Sequence, residues 1–197
     1  GLENSEAFNI MESVRRGKGL KPEWEADMRE HEVPTWYLDS CKKISYMFPR
    51  AHAAAYVMMS FRIAYFKVYY PAAFYASFLS TKIDDFNWNI IKEGLKKVEH
   101  RIFYINDKIN DRSATEKEKR ELIVMELVYE MYSRGLEFEA PSLEKSADLK
   151  FGVDSGKVLV PFGAINGVGA TAAQTIVSAR EKRMFDTVED LQNRAKV

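Results

Sequence analysis

The 197-residue sequence is poor in the side chains that build metal sites and disulfide frameworks. It holds one cysteine, Cys41, and three histidines, and His31, His52 and His100 stand too far apart for a ligand set. One thiol excludes an intrachain disulfide and a cysteine-built zinc site, and it suits a reducing compartment such as the cytoplasm. Long apolar runs are missing too. The least charged stretch, near residues 51–61, runs into Arg62, well short of the roughly 20 apolar residues of a membrane span. No secretory leader is visible, and no repeat period suggests a solenoid. Net charge is zero, with 29 Lys+Arg against 29 Asp+Glu, so global electrostatics points to no partner. No nucleophile stands with a base in a readable pattern. Asp84-Asp85, the nearest approach to paired carboxylates, falls in an expected turn where solvation is the plain reading. No catalytic residue and no metal ligand is therefore expected in the chain.

One absence is local and informative. From Ser40 to Ile83 there is no Asp or Glu, yet Lys42, Lys43, Arg50, Arg62, Lys67 and Lys82 lie there. In a neutral protein this makes a local positive field.

What is present is a substantial apolar content, 46% of residues, enough for one large or two small cores. Breakers and caps predict helices over 5–14 (Ser5 as cap), 21–32 (Pro22 in the first turn), 36–46 (Thr35 as cap), 51–69, 72–80, 88–110 and 116–134 (Thr115 as cap). Alternation in LEFEAPSL and KFGVDSGKVLVPF, with a Ser155-Gly156 turn, predicts a small β element. Helix returns over 161–179. The fold class is thus mainly α, organised as a helical region 1–135, a β connector 136–160 and a C-terminal helix-hairpin-helix module 161–197. The missing initiator methionine, and an end just after the helical pattern of DLQNRAKV begins, read as a piece of a longer chain.

Three constellations carry candidate chemistry. In VRRGKGLK, Arg15, Arg16, Lys18 and Lys21 surround Gly17 and Gly19, a loop able to offer cations and amides to a phosphate chain or simply a solvated basic loop. Its glycine spacing is not that of a Walker loop. In MFPRAHAAAY, Arg50 stands at the mouth of a helix whose His52 and Tyr56 share a face. N-terminal amides, a guanidinium and a donor ring suit an anion, and an aromatic one turn on suits a base. Met59, Ile63 and Phe66 farther along read as ordinary core. In AINGVGATAAQTIVSAR, Gly167 and Gly169 precede a small-residue helix. That pattern suits a hairpin whose amides grip a DNA phosphate without reading bases, with Thr171 and Lys182 or Arg183 adding contacts.

Taken in this order, the motifs resemble a known family. VRRGKGL…VPTWYLDSCKKISYMFPRAHAAAYV…RIAYFKVYYP is similar to the fingers region of PolC-type DNA polymerase III alpha subunits, replicative enzymes of low-GC Gram-positive bacteria. LVPFGAINGVGATAAQTIVSARE…F.TVEDLQNRAKV resembles the helix-hairpin-helix segment that follows it. The resemblance covers nearly the whole chain. It implies that Arg15, Arg16 and Lys18 face the triphosphate of an incoming dNTP, and that Arg50, His52 and Tyr56 line the nascent base-pair pocket. At Arg50 the common family residue is lysine, so charge is kept while a two-pronged fork is gained. It implies that Gly167, Gly169, Thr171 and Lys182 hold primer-template DNA. Further implied partners are the remaining polymerase domains and, through the parent, the sliding clamp and other replisome subunits. Mg²⁺ would be bound by palm carboxylates that this sequence lacks, so this piece alone is expected to be an inactive part of a nucleotidyltransferase. The alternative is a non-enzymatic helix-hairpin-helix DNA-binding module on a helical scaffold.

Overall fold

The structure is a computed structural model and describes residues 1–196. It is mainly α-helical with one small sheet, and divides into two compact units, Gly1–Phe61 and Arg62–Val197. The division falls inside a helix, at a point that no breaker or composition shift marks in the sequence.

The first unit holds α1 (Asn4–Arg15), α2 (Pro22–Glu30), α3 (Thr35–Lys43) and the start of α4 (Arg50–Tyr69). Its core is small: Ile10 and Val14 of α1, Met28 of α2, and Leu38 and Cys41 of α3. The spacing of these residues explains the helices, since each lends one apolar stripe to a shared centre. Caps differ from expectation. At α1 it is the Glu3 carboxylate that accepts the Ser5 amide, because Ser5 already lies inside the helix. At α3 Thr35 is the first helical residue, after Pro34, and no side chain caps it. That helix stops at Lys43 rather than running to residue 46.

The second unit packs α5 (Pro71–Ser80), α7 (Leu95–Asn110) and α8 (Glu116–Ser133) with a three-stranded sheet. Tyr75, Leu79, Val98, Val124, Met125, Val128, Met131 and Val158 form its centre, all fully buried. The expected single helix over 88–110 is broken into α6 (Trp88–Ile91) and α7, because Gly94 sits at φ +90, where only glycine is at ease. The sheet order is β1 (Phe138–Glu139), β3 (Lys157–Leu159), β2 (Gly152–Asp154), with β1 parallel and β2 antiparallel to β3. Ser155 and Gly156, both at positive φ, make the two-residue turn between β2 and β3. Asp85 departs from its solvated reading. It lies in a short 3₁₀ turn and takes a 3.0 Å bond from Arg120 Nε, with its side chain only 10% exposed.

Residues 161–179 are not one helix. A 3₁₀ turn over Phe162–Ala164 is followed by the hairpin and then by α9 (Ala170–Lys182) and α10 (Val188–Ala195). Phe162, Ala173, Ile176, Ala179 and Ala195 make a separate small core for this module.

The largest correction concerns α4. Not one of its residues is buried, and Met59, Ile63 and Phe66, read as core, are each about half exposed at 52%, 51% and 53%. Apolar side chains occupy every side of the helix, so periodicity could not show that no face is covered here. Among the described residues, no helix is long and apolar enough to cross a membrane.

The N-terminus of α8 offers a pH test. Thr115 and Glu118 form a reciprocal capping box, and Lys108 also bonds to the Glu118 carboxylate. The Lys108 ammonium foremost, then the Thr115 amide and hydroxyl, pull the Glu118 carboxyl down to about 2. A depressed carboxyl adds stability above its unfolded value near 4.5, and that stability drains as pH falls toward 2. Urea titrations at pH 5 and pH 3 should show a smaller loss of midpoint in Glu118→Gln than in the parent chain. Equal losses would remove Glu118 as a source.

Candidate functional site

Within the first unit the structure brings part of the basic loop against the start of α4. Gly17, at φ +73, reverses the chain just after α1. A Cβ there would stand 2.0 Å from the Ser45 carbonyl oxygen, so only glycine permits this approach. The Met47 amide then donates to the Arg15 carbonyl at 2.9 Å. These contacts fix the 45–49 segment beside the end of α1.

A row of rings starts from that junction. Arg15 holds Glu12 two-pronged, Nε to Oε1 at 2.7 Å and Nη2 to Oε2 at 3.1 Å. The pairing lowers the Glu12 carboxyl and raises Arg15 above its ordinary value. Nη1 of Arg15 reaches the Tyr46 hydroxyl at 3.5 Å, with the guanidinium 5.9 Å from the ring centre. Tyr46 meets Phe48 edge-on at 4.6 Å, Phe48 lies parallel to His52 at 5.7 Å, and His52 meets Tyr56 at 4.4 Å. Phe48, His52 and Tyr56 are spaced by four, so α4 and the residue two before it place them on one side.

Arg50 is the first residue of α4, exposed, and follows Pro49. The amide of Ala53 bonds to the Pro49 carbonyl. Those ahead of it in the first turn have no intrahelical acceptor. The site therefore combines an exposed guanidinium, a helix N-terminus and a ring row in a segment without acids. Such a set can hold a polyanion beside a flat ring system.

Arg16 and Lys18 are placed otherwise. Arg16 bonds to Glu12 at 3.1 Å and remains 58% exposed. Both residues line an open groove on α1 and α2 with Lys21, and neither Arg50, His52 nor Tyr56 belongs to it. Tyr46 and Phe48 were missed by sequence reasoning, although Phe48 begins the four-residue spacing. Glu12 was missed as well, although it stands three before Arg15.

The second unit carries the hairpin. Gly167, at φ +94, allows the turn in which the Val168 amide donates to the Ile165 carbonyl at 3.0 Å. Asn166 fixes the turn to α6 by accepting the Asn89 amide at 3.3 Å. Gly169 is the N-cap of α9 with ordinary φ and nothing within 4 Å of its missing Cβ. Its value is openness, since the first-turn amides of α9 and the exposed Thr171 are left accessible. Lys182 is the last residue of α9. At a 1.5 Å rise per residue it stands roughly 16 Å along the axis from Thr171, so the two do not meet at one phosphate. Two arginines that sequence reasoning left out hold the module together. Arg180 donates to the Leu143 and Ser146 carbonyls, and Arg194 to those of Ala179, Arg183 and Met184. Clamps on backbone carbonyls leave no sequence signature.

Comparison with known proteins bears directly on this arrangement. The family model for the helix-hairpin-helix motif matches residues 135–197. Over its full length the chain is 50% identical to the DNA polymerase III PolC-type of Halalkalibacterium halodurans and 49% to that of Bacillus subtilis. The chain matches a segment of PolC-type DNA polymerase III. The Caldanaerobacter subterraneus PolC-type protein is also similar, at 46% identity over all 197 residues. The chain spans 14% of the length of each of these PolC-type relatives. The resemblance read from FPRAHAAAY and INGVG is thus upheld across the whole chain.

Proposed function

We propose that the chain is the nucleotide-binding fingers segment of a replicative DNA-directed DNA polymerase, joined to a hairpin that grips duplex backbone. The observation that carries this reading is the exposed Arg50 at the acid-free start of α4, flanked by the ring row from Tyr46 to Tyr56. The triphosphate of a dNTP sits at the α4 N-terminus, where amides and Arg50 meet its charge and His52 donates. Tyr56 packs near the base. Arg15, locked by Glu12, keeps Tyr46 and the ring row in place while leaving a cation beside the phosphates. The likeness to PolC-type proteins supports this assignment.

The hairpin of Gly167 and Gly169, with Thr171, holds the phosphate backbone of primer-template DNA, and Lys182 touches the duplex at a separate point. Mg²⁺ chemistry belongs to other domains of the longer polypeptide. No step of phosphoryl transfer is assigned to the residues of this chain. The parent works in the cytoplasm with the sliding clamp and other replisome subunits.

The test is steady-state kinetics of Arg50→Ala in the full-length polymerase. Losing one charge-assisted phosphate contact should lower kcat/KM for dNTP roughly tenfold to a hundredfold. Arg50→Lys should recover most of it. Unchanged kinetics in Arg50→Ala would reject the site.

A further inference from the structure

The sheet of the second unit leaves β1 open on its outer side. Strand β1 is joined to β3 through the carbonyls of Glu137 and Glu139, which accept the Val158 amide at 3.0 Å and the Val160 amide at 3.1 Å. Successive strand residues turn their backbone groups to opposite edges. Phe138 stands between those two and faces Val158 in the register, so its amide and carbonyl point away from β3. Among the described residues neither group has a partner. An edge of this kind is a template for another strand.

That edge borders a groove of about 400 Å³, whose other walls include Trp88, Lys92, Leu95, Tyr132 and Glu137. Rings make its apolar wall. Phe138 meets Trp88 edge-on at 6.0 Å and Tyr132 edge-on at 5.9 Å. The Tyr132 hydroxyl donates to the Ile91 carbonyl at 2.8 Å, which fixes that ring. Gly94 and Gly135, with nothing within 4 Å of their missing Cβ atoms, leave the rim unobstructed.

The two charged side chains of the groove are not equivalent. Glu137 is bonded to Lys157 at 2.9 Å. Lys92 is exposed and pairs with no carboxylate among the described residues. The groove thus offers a strand edge, an apolar wall and an unmatched cation.

A helix cannot use the edge, because its own backbone groups are already paired. A nucleic acid lacks the regularly spaced amides and carbonyls that a strand edge matches, and would bring a run of phosphates to a single cation. An extended peptide uses all three features. Its backbone pairs with Phe138, an apolar side chain meets the rings, and an acidic one meets Lys92. The charged side chains and bare glycines of this groove differ from the apolar centres of permanent contacts, so its occupant is a separate protein that comes and goes.

We propose that this groove takes an extended segment of a partner protein, alternating apolar and acidic residues, added as a fourth strand beside β1. The site uses none of the residues assigned to nucleotide or duplex, and it stands whether or not those assignments do.

The experiment uses the full-length polypeptide and a short fluorescein-labelled peptide of alternating Asp and Leu, read by anisotropy. Binding is expected, and Lys92→Glu, a change at an exposed position, should weaken it about tenfold. The same peptide with Lys in place of Asp should bind no better than that variant does. Two N-methylated versions decide the mode. Methyl groups on the Leu amides or on the Asp amides block opposite edges of a strand, so one version should lose binding about tenfold while the other keeps it. Hydrogen exchange of the Phe138 amide should be fast in the free polypeptide and slow once the peptide is added. Equal effects of the two methylation patterns would overturn strand addition, as would exchange at Phe138 that ignores the peptide. Failure of the Asp/Leu peptide to bind, or equal binding of its Lys counterpart, would overturn the acidic partner. A Phe138 amide already protected in the free polypeptide would mean that the same chain covers the edge, and would overturn the separate partner.

Discussion

Glu121→Leu, made while Arg101 is kept, is expected to lower the stability of the second unit by roughly 3 kcal/mol, at the lower end for a broken buried ion pair. Glu121 lies on α8 with its side chain 7% exposed, facing Arg101 on α7 at 24%. Arg101 reaches it twice, Nη2 to Oε2 at 2.8 Å and Nε to Oε1 at 3.1 Å, and Asn87 adds a third bond at 3.2 Å. The carboxylate thus has partners on both oxygens, and the pairing raises Arg101 above its ordinary value. Removing it strands a guanidinium and an amide in a place that water reaches poorly. The cost comes from those orphans more than from lost attraction. The double variant Glu121→Leu/Arg101→Met removes both charges and should recover most of the loss. Urea denaturation of the parent, both single variants and the double variant measures this. Additive losses in the double variant would contradict the pairing.

Gly17→Ala should be nearly as damaging, and its effect reaches the candidate site. The new Cβ would lie 2.0 Å from a backbone oxygen of Ser45, at a φ of +73, so strain and collision act together. We expect a loss of about 2–3 kcal/mol in the first unit, or a loop lifted off the 45–47 segment. Gly19→Ala provides the comparison. Its φ is +72, but nothing lies within 4 Å, so only the conformational penalty of about 1 kcal/mol remains. Hydrogen exchange at the Met47 amide, which bonds to the Arg15 carbonyl, reports the junction directly. Its protection should fall in Gly17→Ala and persist in Gly19→Ala. Equal protection in both would show that the loop does not depend on this close approach.

Much of the fold was readable because its punctuation is chemical. Pro22 sits in the first turn of α2, Thr115 announces α8, and Ser155-Gly156 announces the β2–β3 turn. The hairpin too was legible, since Gly167 and Gly169 precede a run of small residues. Gly94 was harder, because one glycine within an amphipathic pattern reads equally as tolerated or as a break. The candidate site was half legible. Arg50, His52 and Tyr56 declare themselves by spacing, but Tyr46 belongs to an irregular segment where no period operates. That Arg15 and Arg16 share Glu12, while Lys18 stands beyond the turn at Gly17, could not be read, since a linear run of cations carries no sign of its partners.

Helix α4 is held by something other than burial. Short helices gain most of their persistence from packed faces, and α4 lends no buried side chain to any of the three cores. Its front half is alanine-rich, but its later turns hold Phe61, Ile63, Tyr65, Phe66, Val68 and Tyr69, ring and β-branched residues that weaken a helix left to itself. What ties its end down is polar: Lys67 pairs with Glu130 at 2.8 Å and Arg134 donates to the Lys67 carbonyl at 3.1 Å, so the last turn of α4 is held by charge where the helix has no buried face to hold it.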